Sequence, residues 1–426
     1  MFPTKSFMRD AIVSESDKHT SGPVESTGES GDAPEVVGPD HTVLSDKEVL
    51  TEGPQYNAPP PKKRVKWYRC RVTREQLASL NKRSDFLGFV QTLGYLAVLA
   101  AGAGAAIYSS HYWPWYVTIL LVFINGHFWH FLVNGFHELV HDSVFRTRWL
   151  NRFFLRVYSF LGWHNHHHFW ASHTEHHKYT LHHPDDQEVV LPAKFDMRNL
   201  WKSSIVNYRY PYDLVKGRLA AVAGKIPDDK WSQELFPESD PERRRAYTNW
   251  ERVMFTGHVL IAGVSLLFGL WVVPLVITFP KMIGAWLQFL CNATQHVGLQ
   301  DEIPDFRLCC RTFYINPALQ FLYWHMNYHT EHHMYAAVPC YRLGRLHRLI
   351  KHEMPYCTSG LWETWKQIIQ IMDRQAVEPD YQFIAELPTA APSPATATPP
   401  APAASSAPGT APTPPSVPPP AHRDSA

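Results

Sequence analysis

With 426 residues, 40 Lys and Arg against 39 Asp and Glu, and a formal charge of +1, the chain lacks the basic excess of a nucleic-acid binder, and no nucleic-acid partner is expected. Its 25 histidines are the compositional anomaly. Six cysteines (Cys70, Cys291, Cys309, Cys310, Cys340, Cys357) show no CxxC spacing and no secretory context, which predicts reduced thiols.

Residues 1–60 are rich in Ser, Glu, Asp, Gly and Pro, and 387–426 are almost wholly Pro, Ala, Ser and Thr. Neither stretch has enough apolar surface to offset its ordering entropy, so both are predicted to be disordered tails around a core at 61–386. The opening MFPTKSFMRD lacks the apolar run of a signal peptide. Lys62, Lys63, Arg64, Lys66, Arg69, Arg71, Arg74, Lys82 and Arg83 then crowd the approach to the first apolar run. They read as a solvated topogenic cluster, with contact to anionic headgroups as the alternative. Thr73 and Gln76 fit a capping box that opens a helix.

The first apolar run, 87–108, carries no charge and would span about 33 Å as a helix, enough to cross a bilayer. A turn reading SSHYWPW, suited to the interface, leads to a second run at 113–136. Further runs at 255–273 and 275–291 give four predicted spans in two hairpins, the last containing Pro280 and Lys281. The expected architecture is an all-α integral membrane protein. Basic residues precede the first span and both hairpin turns are nearly uncharged, which predicts a cytosolic N-terminus. Two hairpins return 137–250 and everything after 291 to that side, so every histidine cluster and both termini are expected there.

The string HTEHH occurs at 173–177 and again at 329–333. Positions i, i+3 and i+4 share a helix face, so each copy is predicted to aim three imidazoles at one point: His173, His176 and His177, then His329, His332 and His333. His137 and His141 stand one turn apart in HELVH, and Asn292 and His296 one turn apart past the fourth run. Nine histidines and one amide suffice for two metal ions with open positions. Glu138, Asp142, Glu175, Asp185, Asp186 and Glu331 are candidates to orient the imidazoles. For Glu175 and Glu331 a solvent-facing position is equally consistent.

Other histidines have plainer readings. His127, His130, Asn134 and His137 form a polar stripe along the second span, either lining a channel or satisfying a buried network. His164 and His168 are one turn apart and could replace a named ligand; His182, His183 and His325 are expected around the site. His258, His347 and His352 read as structural. HELVH also fits the HExxH zinc metalloprotease pattern with Glu138 as base, but such a site needs only about three protein ligands and leaves both HTEHH copies unused. A metal-storage role would spread histidines through several spans instead of gathering them at one face.

These boxes, HELVH, HTEHH and HTEHH, with Asn292 and His296, resemble the membrane fatty-acid desaturase and hydroxylase superfamily. The stretches HELVHDSVFRTRWLN, DDQEVVLP with Asp186 and Glu188, and NATQHVGL through FLYWHMNYHTEHHMYAAVP are similar to its hydrocarbon-oxygenase-like branch. The resemblance covers most of 72–350. It implies four membrane helices capped by a cytosolic helical domain, a di-iron centre, O2 as co-substrate, and attack on an aliphatic C–H bond of a hydrophobic substrate. Removal of a second, vicinal hydrogen gives an alkene and insertion of oxygen gives an alcohol; the box pattern favours desaturation, with a hydroxylating monooxygenase as the alternative. The first box has three intervening residues where acyl-CoA desaturases have four, and His329 stands where front-end desaturases have Gln. No His-Pro-Gly-Gly haem motif occurs. These departures speak against acyl-CoA and a built-in donor, and imply a separate electron donor, cytochrome b5 or ferredoxin with its reductase. The long low-complexity tails point to a eukaryotic source and the endoplasmic reticulum.

Overall fold

The computed structural model describes residues 64–189, 191 and 209–388; residues 1–63 and 389–426, which hold nearly all of both predicted tails, lie outside them. The described chain is mostly helical. Helix α1 (Arg74–Leu80) opens on the capping box, with Thr73 Oγ1 accepting from the Gln76 N–H at 3.2 Å and Gln76 Oε1 accepting from the Thr73 N–H at 2.8 Å.

Two described helical stretches are long and apolar enough to cross a bilayer, Asp85–Tyr112 and Trp115–Val140. The first, α2 (Asp85–Tyr112), has 28 residues, about 42 Å by helical rise. It outruns the predicted run because Ser84 caps it and Asp85 accepts two bonds from Thr147 outside the apolar stretch. The second divides at Phe131 into α3 (Trp115–His130) and α4 (Leu132–Val140), where the Phe131 N–H reaches Phe128 O at 3.2 Å and tightens the turn. Helix α2 packs against α3, and Tyr95 OH bonds Phe128 O at 2.5 Å. Much of the outward surface is apolar: Phe86, Leu93, Trp115, Tyr116, Ile119 and Leu120 are exposed. In water such a surface would be unfavourable, and in lipid it is not.

Helices α5 (Arg148–Leu161), α6 (His166–Tyr179), α7 (Arg209–Val222) and α8 (Lys230–Leu235) follow. Asn165 caps α6 by accepting from the His167 and His168 N–H groups, and its Nδ2 donates to Glu251 Oε1 at 2.8 Å, tying α6 to α9 (Pro241–Leu267).

The third and fourth runs depart from the expectation of two regular spans. Helix α9 begins in polar sequence and ends at Leu267, and Gly269 has a positive φ, so only its last part is apolar. The predicted 275–291 helix is broken into a π-helical turn (Pro274–Thr278), a 3₁₀ turn (Pro280–Met282) and α10 (Trp286–Ala293). Proline removes an N–H and bars a regular helix through 280, and Gly284, with φ of 71°, supplies a reversal that other residues resist. The freed carbonyls find side-chain donors: Asn125 Nδ2 reaches Val276 O at 3.3 Å and Trp163 Nε1 reaches Thr278 O at 2.8 Å. Buried polar backbone demands such partners. Gly126 permits the approach, since a Cβ there would stand 2.5 Å from Ile283 O.

The remainder is α11 (Phe306–Cys309), β1 (Phe313–Tyr314), α12 (Pro317–Leu322), α13 (His329–Met334), α14 (Cys340–Ile350), β2 (Thr358–Ser359) and α15 (Gly360–Gln375). Strands β1 and β2 pair in parallel, Phe313 with Thr358, a small exception to the all-α expectation. All six cysteines are free. The main core gathers Tyr95, Phe136, Tyr158, Tyr323 and Trp324.

Candidate metal centre

Four pieces of the fold supply the predicted imidazoles. His137 lies in the last turn of α4 and His141 at its C-cap; His173, His176 and His177 lie on α6; His296 follows α10; His329, His332 and His333 lie on α13. All nine converge, in two groups. One holds His137, His141, His173, His177 and His332; the other holds His176, His296, His329 and His333. Within each group one ring nitrogen per residue lies within 4.8 Å of every other.

This corrects the expectation that each HTEHH copy aims at a single point. The i and i+4 histidines of each copy serve one group and the i+3 histidine serves the other. Helical geometry explains the split, because successive residues are turned by about 100° and positions 3 and 4 flank the axis of position 0 on opposite sides. His176 therefore crosses to the second group and His332 to the first.

The ring nitrogens are arranged as ligands need to be. Nε2 atoms face one another: His173 to His141 at 3.2 Å, His177 to His173 at 3.0 Å, His329 to His296 at 2.9 Å and His333 to His329 at 3.0 Å. Nδ1 atoms face outward to oxygen: His176 to Asp186 at 2.7 Å, His173 to Glu188 at 3.0 Å, His137 to Glu138 at 3.2 Å, His296 to Cys309 O at 2.8 Å and His333 to Thr180 Oγ1 at 3.2 Å. Such outer contacts fix ring orientation and tautomer. His332 is fully buried, and its Nε2 has no hydrogen-bonding partner. An orphaned buried acceptor is costly, and a cation among these lone pairs would satisfy it. The donor set fits metal ions.

Electrostatics agree with that. Burial pushes His141 and His296 down to about 3. Burial and neighbouring imidazoles hold His173, His177, His329 and His333 well below the ordinary histidine range, so these rings stay neutral and keep lone pairs available. His176 differs: burial opposes its charge, but Asp186 and Glu188 together outweigh burial and raise it.

The fatty acid desaturase family model matches residues 113–365, more than half the chain and all ten predicted site residues. The chain belongs to the fatty acid desaturase family. It is also similar to an sn-1 oleoyl-lipid 12-desaturase of Picosynechococcus sp., 22% identical over 297 residues, covering 64% of this chain and 81% of that relative. With two apolar helices of spanning length, the chain is a membrane protein and a desaturase-like oxidoreductase with a histidine-rich site suited to metal.

Asn292, predicted beside His296, lies in the last turn of α10. Its side-chain oxygen accepts from Asn134 Nδ2 at 3.1 Å, and it lines a narrow cavity that touches both groups. Val133, Phe169, Val189 and Met326 form the apolar wall of that cavity. Of the predicted orienters, Asp186 and Glu138 meet the expectation. Glu331 is buried and bonds His347 Nδ1 and Thr312 Oγ1, each at 2.5 Å, whereas Glu175 pairs with Lys178 at 3.0 Å. Glu188 was missed as an orienter, since no spacing rule links position 188 to 173.

The outer histidines fall outside both groups. His164 stacks on Phe136, His168 Nε2 meets Ser232 Oγ at 3.3 Å, His182 bonds Thr180 O and His325 meets Gln320. His258 is sandwiched between Phe160 and Trp163, a structural placement. His127 and His130 lie along the second span near the broken segment, and His127 rests edge-on against Trp286. Glu138 has no exposed surface and lies 3.2 Å from the Nδ1 atoms of both His137 and His332, so it is spent on orienting imidazoles and offers no water-facing base for a protease.

Proposed function

We propose that the chain holds two iron ions on its nine clustered histidines, with Asn292 as a tenth contributor, and uses O2 and external electrons to desaturate an aliphatic chain of a lipid. The observation that carries this reading is the exchange of imidazoles between the two HTEHH copies, which builds two adjacent nitrogen-rich groups beside one cavity. Neutral imidazole ligands suit iron. When bound, an iron pair would activate O2, and O2 would supply the oxidising power needed to take hydrogen from an unactivated carbon.

The chain's own residues do the rest. Asp186, Glu188, Glu138 and the Cys309 carbonyl hold the Nδ1–H groups, keeping Nε2 lone pairs aimed inward. Val133, Phe169, Val189 and Met326 offer an acyl chain an apolar wall and exclude water from the reacting carbons. Holding the chain rigidly matters because small displacements of the reacting carbon change rate and outcome. The relative's name, an oleoyl-lipid desaturase, supports a lipid acyl chain as substrate class.

In this reading α9 and the broken segment after it form a second membrane hairpin, giving four spans and a helical domain at the cytosolic face. Exposed Val259, Leu260, Leu266, Leu267 and Phe268 support a lipid-facing surface there. Irregular backbone is tolerated at membrane depth where it is buried against protein, as the broken segment is against α3. The basic residues ahead of α2 support a cytosolic N-terminus.

The test is lipid profiling of cells expressing the wild type beside His332→Ala under labelled O2, with metal analysis of the purified protein. New alkenes only in the wild type, free of label, with about two irons per chain, are expected. A labelled alcohol would replace desaturation by hydroxylation, and about one zinc with no iron would end the oxidase reading.

A further inference from the structure

A desaturation consumes one O2, two electrons and two protons together with two hydrogens from the acyl chain, and releases two waters. The electrons must reach the buried histidine groups from outside. One aromatic side chain connects the surface to both groups. Trp67 is half-buried and stacks on Phe306 with ring centroids 4.1 Å apart and planes 11° apart; Phe306, fully buried, meets the His333 ring at 5.4 Å. Trp67 Nε1 also donates to the Lys178 carbonyl at 2.9 Å, and Lys178 is bonded directly to His177. His333 belongs to one group and His177 to the other.

The Trp67 segment is held in place. The Tyr68 N–H bonds Pro304 O at 2.8 Å, Arg307 covers the Tyr68 ring at 3.9 Å, and Tyr68 pairs in parallel with Asp305. The segment that carries it is basic. Lys66 and Arg71 are exposed on either side of it, and of the acids nearby Asp305 is paired with Arg307 at 2.7 Å and Glu175 with Lys178 at 3.0 Å, while Glu353 accepts from Tyr68 OH at 2.5 Å and keeps its charge. Complementary charge steers association and fixes which face docks.

We propose that Trp67 is the electron port of this desaturase and that the basic rim around it docks an acidic one-electron carrier protein. The proposal rests on the desaturase reading. At each docking the carrier loses one electron and the metal centre gains one. Trp67 and Phe306 serve as a coupling bridge and undergo no net change, and two dockings supply the electrons of one double bond.

The test uses the full-length protein in detergent micelles, with a reduced soluble acidic haem protein as donor, and follows donor oxidation by stopped flow. Donor affinity is measured separately on metal-depleted protein. Trp67→Leu is expected to slow the saturated transfer rate at least tenfold with affinity and metal content unchanged, and Trp67→Phe, which keeps a stacked ring, to recover part of it. Lys66→Glu with Arg71→Glu is expected to weaken affinity at least tenfold, with less effect at high salt. Reduction by dithionite should be unaffected in every variant. A transfer rate within twofold for Trp67→Leu, or an affinity within twofold for the charge reversals, overturns the proposal; in the second case the basic rim faces anionic lipid. If the wild type bound no iron, the desaturase reading would fail separately, while the affinity arm would still decide whether the rim docks the carrier.

Discussion

The two HTEHH copies are identical in sequence and differ in nearly everything around them. The first lies within the 14-residue α6, with Glu175 partly buried and paired with Lys178, and Asp186 and Glu188 holding two of its rings from a loop. The second makes up most of the six-residue α13 and is buried throughout, with Glu331 turned inward to His347 and Thr312. Yet both divide their imidazoles in the same way. The division is a property of helical spacing, whereas the support given to each ring belongs to the surrounding fold.

The largest effect expected from this comparison is on metal content. His176→Ala and His332→Ala should each reduce the group opposite to that served by the rest of its own box, detected as loss of different iron sites by Mössbauer spectroscopy, with desaturation falling well beyond the roughly 100-fold seen for outer-contact changes. Loss of the same site in both variants would break the crossed arrangement.

Next is the contrast between the two central glutamates. Glu331→Gln disturbs a buried carboxylate with two short bonds and should cost about 3 kcal/mol, since bonds to charged groups are worth roughly 1.5–3 kcal/mol each. Glu175→Gln breaks a pair with the half-exposed Lys178 and should stay within about 1 kcal/mol. Denaturation midpoints compare the two, and equal losses would contradict the difference in setting.

Asp186→Asn weakens the outward hold on His176 without removing a ligand. A drop of about 10–100-fold in metal affinity is expected, read by competition with a chelator. A drop below twofold would show that the His176 ring needs no carboxylate.

A further effect is on pH. His141 and His296 are held at about 3 in the folded chain, against about 6.5 when unfolded. Between those values the unfolded chain binds more protons, so metal-stripped protein should be most stable above about 6.5 and lose stability as pH falls towards 3. His176, raised by Asp186 and Glu188, works the other way and is outnumbered. Melting temperatures of stripped protein at pH 8 and pH 5 measure this, and a higher value at pH 5 would contradict the neutral rings.

Much of this molecule was legible in the sequence. The uncharged run at 87–108 marked a long helix because apolar length is a local property, and the Thr73 and Gln76 pair marked the start of α1 for the same reason. The nine histidines were visible because HTEHH occurs twice and each copy sets three imidazoles within about one helical turn. The fourth predicted span was misread as one helix: Pro280 signalled a break, but only packing against Asn125, Gly126 and Trp163 decided how the freed backbone would be satisfied.

The residue types and helical spacings by themselves determined that these imidazoles would point in fixed directions. Which of them meet was decided by the tertiary structure, because α4, α6, α13 and the turn after α10 come together across long stretches of chain. The same holds for the outer contacts. Glu188 on His173, Thr180 on His333 and Cys309 on His296 are neighbours in space only, and no periodicity within one segment can encode a contact made between segments.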